Sequence, residues 1–149
     1  MIVTVMAINS QFAKAVHILT LLSVLPDRKL SSDDIACSVN TNPVVIRRLL
    51  GQLSSAGFVE SRSGAAGGTR LARPPAEISL DQVYAAVNCG EVFAIHEGNP
   101  SKNCFVSENI ESVLCELRED LDRTVTERLA GHTLETLLKR IGERTAGGH

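Results

Sequence analysis

Residues 31–55 read SSDDIACSVNTNPVVIRRLLGQLSS, a pattern that predicts a short helix, a tight turn and a longer helix. Ser31 is a strong N-cap residue, and Asp34 stands three positions later, where its carboxylate can bond back to the helix start. Pro43 predicts the first position of the longer helix, and Gly57 predicts its C-terminal end. Two helices joined in this way are typical of a helix–turn–helix unit.

Beyond Gly57 the pattern changes to that of a β-hairpin. Residues 58–61 and 69–72 predict two short strands, and the glycine-rich segment 64–68 predicts the turn between them. A hairpin that follows a helix–turn–helix gives the winged variant of this unit. Pro74 and Pro75 end the hairpin, and Ser79 predicts the N-cap of a fourth helix that runs from Leu80 to about Val87.

The second helix of a DNA-binding helix–turn–helix enters the major groove. We therefore predict that helix 43–56 meets base edges there and that the wing, 58–72, lies on the flanking backbone or minor groove. At least one of Arg47 and Arg48 should hold a phosphate. By themselves, these two arginines would indicate only a solvated helix face. The arginines of the adjacent hairpin favour nucleic-acid binding instead. The candidate DNA-binding residues are Thr41, Asn42, Val44, Val45, Arg47, Arg48, Arg62, Ser63 and Arg70.

Charge is distributed unevenly over the 149 residues, although the net charge is only −2. Residues 1–75 carry eight Lys and Arg against four acids, whereas residues 76–149 carry seven against thirteen. A basic first half beside an acidic second half favours one polyanion-binding surface and one solvated or partner-binding region. Chance segregation is the alternative.

A helix predicted over 10–24 precedes the helix–turn–helix, and a long amphipathic helix is predicted from Ser107, with a last helix over 133–141. The long helix has a narrow apolar stripe with charged flanks, which fits either a helix-pairing seam or an ordinary surface helix. The fold class that follows is mainly α with a small β-hairpin wing, a winged helix–turn–helix domain plus a long C-terminal dimerisation helix. The candidate dimer-interface residues are Ile110, Leu114, Leu117, Leu121 and Val125.

We predict three segments: a DNA-binding domain over 1–88, an effector or linker loop over 89–106, and the dimerisation and C-terminal helices over 107–149. No apolar run is long enough to span a membrane, and the N-terminus lacks the basic region and cleavage site of a secretory signal. Four cysteines without an export signal suggest a cytoplasmic protein. The chain has no P-loop, dinucleotide fingerprint or nucleophile elbow, so no enzyme is predicted.

Residues 30–87 resemble the Rrf-two (Rrf2) family of bacterial winged-helix regulators, relatives of the sensors IscR and NsrR. The resemblance rests on Leu53-x-x-Ala-Gly-Phe-Val, Gly64-x-x-Gly-Gly, Leu71-Ala-Arg-Pro-Pro, Ile78-Ser-Leu and Val83-x-x-Ala-Val. It implies a homodimer that reads a roughly palindromic operator, usually as a repressor, with the long helix crossing into the partner. Two positions depart from the family: Ser63 replaces the arginine before the first wing glycine, and Thr69 replaces an aromatic residue.

The cysteines separate branches of that family. Cluster-bearing members carry three closely spaced cysteines before the long helix, whereas this chain has only Cys89 and Cys104 there. An iron–sulfur cluster usually needs four ligands, so neither a cluster nor another metal is predicted. His96, Asn99-Pro100 and Cys104 instead resemble the cluster-less, YwnA-like branch.

The cysteines also raise a redox hypothesis. Cys104 precedes a helix N-terminus, where the helix dipole favours negative charge, so it could act as a redox sensor with His96 or Cys89. The alternative is a small buried residue that fixes the loop. Cys37 and Cys115 are predicted to lie in the core.

Two further functions remain open from the sequence. The winged helix could serve as a protein–protein adaptor that never binds DNA, or the chain could be an iron–sulfur-dependent sensor. Salt-dependent duplex binding separates a DNA-binding regulator from the adaptor and from any enzyme built on the same helices.

Overall fold

The computed structural model describes residues 2–62, 64–65, 67–87, 92–96 and 98–148, with side chains from Ser10 onward. This part of the chain folds into six α-helices and one two-stranded antiparallel hairpin, which confirms the predicted winged, mainly α fold. The elements are α1 (Ile2–Val24), α2 (Ser32–Val39), α3 (Pro43–Ser55), β1 (Val59–Arg62), β2 (Gly68–Leu71), a 3₁₀ turn (Pro75–Glu77), α4 (Leu80–Val87), α5 (Phe105–Ala130) and α6 (Leu134–Ala146).

Two helices are longer than predicted. α1 begins at Ile2 rather than Ser10, because residues 2–8 form an almost continuous apolar run in which no helical period can be read. α6 continues to Ala146 instead of ending near Ile141, since its last turn is polar and gives no apolar signal. Helices defined by packing on one side routinely extend beyond their apolar stripe.

α5 begins slightly earlier than predicted, at Phe105. The side chain of Ser107 does not cap the helix; its Oγ accepts a hydrogen bond from the backbone N–H of Ser101 at 2.8 Å. The residue at the N-cap is Cys104, whose carbonyl accepts from Glu108 N at 3.1 Å. The segment before α5 is therefore folded back on the first helical turn.

The helix–turn–helix follows the local signals of the sequence. Ser31 and Asp34 form a capping box at the start of α2, and Asn40 takes the left-handed conformation, with φ 58°, to end it. Pro43 occupies the first turn of α3, and Gly57 adopts φ 79° just past its C-cap. Ser31, Asp34, Pro43 and Gly57 thus confirm the predicted start of α2 and the predicted start and end of α3.

The core lies under α1, α3, the wing and α4. Phe58, Ile18, Ile46 and Leu53 are among its largest fully buried side chains. Burying one such side chain contributes about 1.5–3 kcal/mol from apolar area alone. α3 is consequently held rigidly on one side while its opposite side faces outward.

Two backbone hydrogen bonds join the connection between α5 and α6 to the start of α4. Leu80 N donates to His132 O at 2.9 Å, and Leu134 N donates to Ile78 O at 2.8 Å, across a β-bridge between Ser79 and Thr133. Leu134 is fully buried in the core. Among the described residues, no helix combines the length and hydropathy that a bilayer crossing requires.

Candidate nucleic-acid interface

The N-terminus of α3 is exposed and shaped by its own cap. The side-chain Oδ1 of Asn42 accepts a hydrogen bond from Val44 N at 2.8 Å, so part of this side chain is already engaged. Thr41 is half-buried, and its backbone N–H donates to Ala36 O at 3.0 Å. Pro43 has no N–H, and the N–H groups of Val45 and Ile46 donate to Asn42 O, so the backbone of the first turn is already satisfied by its own cap.

The two faces of α3 are clearly divided. Its inner face consists of the buried residues Ile46, Leu49, Leu50 and Leu53. Val44, with 63% of its surface exposed, and the exposed Arg47 and Arg48 lie on the outer side. Val45 is half-buried and packs against the core, which places it away from the outward face.

The rest of this outer face consists of residues that are not among the candidates predicted from the sequence. Gly51, Gln52 and Ser55 are exposed one and two turns after Arg47 and Arg48. The signal that could have found Gln52 is its i+4 spacing from Arg48, which puts both side chains on one side of a helix. Glutamine is chemically suited to this position because its amide can bond adenine bidentately.

An open cleft of about 480 Å³ separates α3 from the wing. Arg47 lines its helix side and Arg62 its wing side, while Gly51, Gly64 and Gly67 leave the walls without side chains. Two guanidinium groups across a glycine-lined cleft form a site where a phosphate backbone can approach closely. The structure thus brings together arginines that lie on different predicted elements.

The wing is a regular hairpin in which Glu60 pairs with Arg70, and Ser61 with Thr69. Nε and Nη2 of Arg70 both donate to Oε2 of Glu60 at 3.1 Å. This ion pair is exposed, so it stabilises the wing little. It does offset the charge of Arg70, which the sequence marked as a DNA-binding candidate.

Lys29 is a further cation at the wing that the site prediction omitted. Leu30 forms a β-bridge with Thr69, and this bridge places Lys29 beside the hairpin. The packing is tight, since a Cβ added to Gly68 would lie 2.7 Å from the Lys29 Cβ. Lys29, Arg62 and Arg70 all line one small cavity with Glu60. No local sequence signal marks a β-bridge of a single residue pair.

Arg73 has a structural position despite its charge. Its Nε donates to Gly57 O at 3.2 Å and its Nη2 to Ala56 O at 3.3 Å. The guanidinium also lies 4.6 Å from the centre of the Phe58 ring. Arg73 therefore joins the end of α3 to the wing rather than facing nucleic acid.

Hydrogen bonds from Ser31 to the carboxylate of Asp34 stabilise the start of α2 in the helix–turn–helix. The backbone N–H of Ser31 donates to Asp34 Oδ2 at 2.9 Å and its hydroxyl donates at 2.7 Å. These bonds hold the pKa of the Asp34 carboxyl below its ordinary value. The charged form of Asp34 therefore stabilises the helix that supports α3.

The structure contradicts the predicted burial of the cysteines. Cys37 is exposed on α2 and Cys115 is half-buried on α5, so the prediction that both lie in the core is wrong. Cys37 falls on the outer side of its helix, where its apolar character gave a false signal. Cys104 is also exposed, and therefore the alternative that it is a small buried residue is wrong as well.

The predicted effector segment is described in part. His96 is exposed, whereas Cys89 and the wing residue Ser63 lie outside the described residues. The segment contacts α5 through a 2.7 Å hydrogen bond from Val92 N to Asp122 Oδ1. Within the described ranges, no three His, Cys, Asp or Glu side chains form a group that could hold a metal ion.

The apolar residues of α5 are unequally exposed. Three of the predicted interface residues, Ile110, Leu114 and Val125, are half-buried. The other two, Leu117 and Leu121, are exposed together with Val113, at 49%, 37% and 57% exposure. An exposed row of large apolar side chains is expected where a second protein surface packs.

Comparison with known proteins agrees with this architecture. The family model Rrf2, described as an iron-dependent transcriptional regulator, matches residues 8–140. The candidate HTH-type transcriptional regulator YwnA of Bacillus subtilis is 44% identical over 135 residues, covering 90% of this chain and 98% of YwnA. The chain belongs to the Rrf2 family. This family and YwnA are transcriptional regulators rather than enzymes.

Solved structures show the same Rrf2 fold. The crystal structure of a candidate DNA-binding protein is 40% identical, with a TM-score of 0.68, and covers 87% of this chain and 99% of its own. A candidate transcriptional regulator from Lactobacillus plantarum has a TM-score of 0.78 at 25% identity, over 89% and 90% of the two chains. T. potens IscR, at 23% identity over 91% and 88% of the two chains, shares the fold with a TM-score of 0.63.

The description of the Rrf2 family names iron, whose binding depends on the donor atoms that a chain offers. Iron–sulfur clusters are held by several thiolates or imidazoles. The described residues of the predicted effector segment offer one thiol, Cys104, and one imidazole, His96. These two side chains are fewer than the four ligands that such a cluster usually has.

Proposed function

We propose that this Rrf2-family protein is a homodimeric, sequence-specific DNA-binding regulator that acts as a repressor. In this proposal helix 43–56 lies in the major groove, and the wing, 58–72, lies on the flanking backbone or minor groove. The observation that carries it is the outward face of α3, where Arg47 and Arg48 are exposed and Arg47 shares a cleft with Arg62. The negative charge of a DNA strand is complementary to these arginines.

The two α3 arginines have different roles in this proposal. Arg47 lines the cleft with Arg62, which suits contact with a phosphate that passes between helix and wing. Arg48 does not line that cleft, and its i+4 spacing puts it on one side of α3 with the exposed Gln52. We therefore expect Arg48 to bond the edge of a guanine and Gln52 the edge of an adenine.

The wing supplies further phosphate contacts. Arg62 is exposed at the tip side of β1, and Lys29 and Arg70 lie on the same face of the hairpin. Glu60 reduces the net charge of this face because it pairs with Arg70. We expect these residues to contribute affinity for any duplex and little preference between sequences.

Dimerisation is supported by α5. On this helix of 26 residues, Val113, Leu117 and Leu121 are exposed, which favours packing against an apolar partner surface. A second copy of the same chain supplies one, and a two-fold dimer would present two α3 helices to two half-sites. Binding of such a dimer over a promoter blocks access by the transcription machinery, which is the repressor role proposed here.

We also propose that duplex binding responds to oxidation of Cys104. Cys104 is an exposed thiol at the start of α5, with no side-chain capping bond. A peroxide can oxidise this thiol to a sulfenic acid while the peroxide is reduced to water. We expect that reaction to change the start of the dimerisation helix and thereby the duplex affinity.

The test is fluorescence anisotropy with a labelled duplex from the region upstream of the protein's own gene, against a scrambled duplex of equal length. The double variant Arg47→Ala/Arg48→Ala should abolish duplex binding and leave the dimer intact. The matched control Lys102→Ala/Lys139→Ala removes two exposed cations outside the interface and should bind like wild type. Unchanged binding by the Arg47/Arg48 variant would contradict the assignment of α3 as the recognition helix.

Two further arms complete the experiment. Affinity of the wild type should fall steeply with salt, since several phosphates are contacted. An adaptor that never binds DNA would show no duplex binding at any salt concentration. Peroxide treatment should weaken binding by the wild type and not by Cys104→Ser; equal loss in both proteins would contradict the thiol hypothesis alone.

A further inference from the structure

A second open groove lies between α1 and α6, formed by residues outside the DNA-binding face proposed above. Its volume is about 490 Å³, within the range of small-molecule sites. α1 contributes Ala13, Val16, His17 and Thr20, and α6 contributes Leu137, Arg140, Ile141 and Arg144. The proposed contact with DNA uses none of these residues.

The basic side chains of the groove are concentrated on α6. Arg140 and Arg144 are four residues apart, so both extend from the same side of the helix. Neither guanidinium forms an ion pair with a carboxylate in the part of the chain that the structure describes. By contrast, the neighbouring Lys139 pairs with Glu135 at 3.8 Å. The groove thus holds two uncompensated positive charges.

The remainder of the groove is apolar. Val16 and Leu137 line it and are half-buried, and Ile141, the neighbour of Arg140 in the chain, is 48% exposed. An isoleucine that remains half exposed beside two guanidinium groups gains stability if an apolar group covers it. The arginines in turn favour a planar anion that both can approach.

We propose that this groove binds a small amphipathic anion, a carboxylate or sulfonate attached to an apolar body of one or two rings. Inorganic phosphate would satisfy the arginines but leave Val16, Leu137 and Ile141 uncovered. A neutral aromatic molecule would cover those residues and leave the arginines without a counterion. Only a ligand with both parts matches the charge and the apolar surface together.

The groove also contacts the helix–turn–helix unit. His17 lines it from α1, and its Nε2 lies 3.1 Å from the hydroxyl of Ser38 on α2. A ligand beside His17 would therefore be one side chain away from the helix that supports α3. This connection makes the groove a position from which an effector could act on the DNA-binding unit.

The probe for the test is 1-anilinonaphthalene-8-sulfonate, an anionic two-ring fluorophore, with the uncharged N-phenyl-1-naphthylamine as its matched partner. Both are titrated into the full-length protein without DNA. The variants are Arg140→Gln/Arg144→Gln, the charge-matched control Lys102→Gln/Lys139→Gln, and Ile141→Ser. All the replaced side chains are exposed, and circular dichroism verifies that each variant is folded.

We expect the Arg140/Arg144 variant to bind the sulfonate probe about tenfold more weakly, whereas the control variant binds it like wild type. The uncharged probe should be insensitive to the arginines, and Ile141→Ser should weaken both probes. Sulfonate binding within about twofold of wild type in the Arg140/Arg144 variant would overturn the proposal, because the fluorescence would then come from another apolar surface.

A second copy of the chain is the competing occupant of the groove. If it covers the groove, the sulfonate probe will bind only a variant that is monomeric, such as Leu117→Glu, and the proposal fails. Because the titration contains no DNA, this outcome is independent of the duplex-binding experiment. Either proposal can therefore fail while the other stands.

Discussion

Replacing Arg47 by Gln should weaken duplex binding by nearly the same factor for every DNA sequence. Arg47 lines the cleft opposite Arg62, a position that suits a phosphate and not a base. A phosphate contact positions the protein on DNA but carries no sequence information. The substitution keeps a long polar side chain on an exposed position of α3, so we expect no effect on folding.

The magnitude follows from counterion release. Each lost phosphate contact lowers the slope of log K against log salt by about 0.9, so a dimer that loses two contacts changes by about 1.8. Between about 50 and about 200 mM KCl, the advantage of the wild type over the variant should therefore shrink by about tenfold. Arg48→Gln is the internal comparison, because its loss should reduce the preference for the specific duplex.

The assay is anisotropy at four salt concentrations on the specific and the scrambled duplex. A variant that binds more weakly but with an unchanged salt slope would show that Arg47 does not contact phosphate. Loss of sequence preference in Arg47→Gln, with preference retained in Arg48→Gln, would show that the two roles are reversed. Either result would refute the reasoning from the cleft.

Three other substitutions test separate parts of the structure. Leu117→Glu places a charge among the exposed apolar residues of α5 and should convert the dimer to a monomer in sedimentation velocity. Glu60→Gln releases Arg70 and should tighten duplex binding at low salt, with the gain vanishing at high salt. Ser31→Ala removes the N-cap of α2 and should cost about 1 kcal/mol, a fall of about 3 °C in Tm. That deficit should narrow as the pH falls through the lowered pKa of Asp34, whose charged form Ser31 stabilises.

Each of these predictions has its own contradiction. A dimer that persists in Leu117→Glu would place the interface elsewhere. For Glu60→Gln, unchanged or weaker binding at low salt would mean that Arg70 has no part in DNA contact. If the Tm difference caused by Ser31→Ala were constant at all pH values, the bonds from Ser31 would not be what lowers the pKa of Asp34. Glu119→Gln, a substitution at an exposed position of α5, is the control for Leu117→Glu.

The helix–turn–helix could be predicted because its boundaries depend on local chemistry. Ser31 with Asp34, Pro43 and Gly57 each act through the backbone of their own neighbours, and all four positions agree with the structure. The apolar period of α3 likewise determined its inner face. Signals of this kind need no knowledge of what the rest of the chain does.

Other features depend on contacts between distant segments and could not be read from the sequence. The β-bridge between Leu30 and Thr69 brings Lys29 to the wing, and the pairing of Arg70 with Glu60 offsets a predicted cation. The exposure of Cys37 and Cys104 contradicted the usual tendency of cysteine to be buried. The groove between α1 and α6 arises only when two helices at opposite ends of the chain pack together.

The most direct test of a dimer that reads DNA is selection of bound duplexes from a random library by the purified protein. We expect enrichment of an inverted repeat whose half-sites, one for each α3 helix, lie about 10 base pairs apart, which is one helical turn, or a multiple of that. The Arg47→Ala/Arg48→Ala variant, taken through the same selection, should enrich nothing. Recovery of no sequence, or of a single half-site without symmetry, would contradict the account.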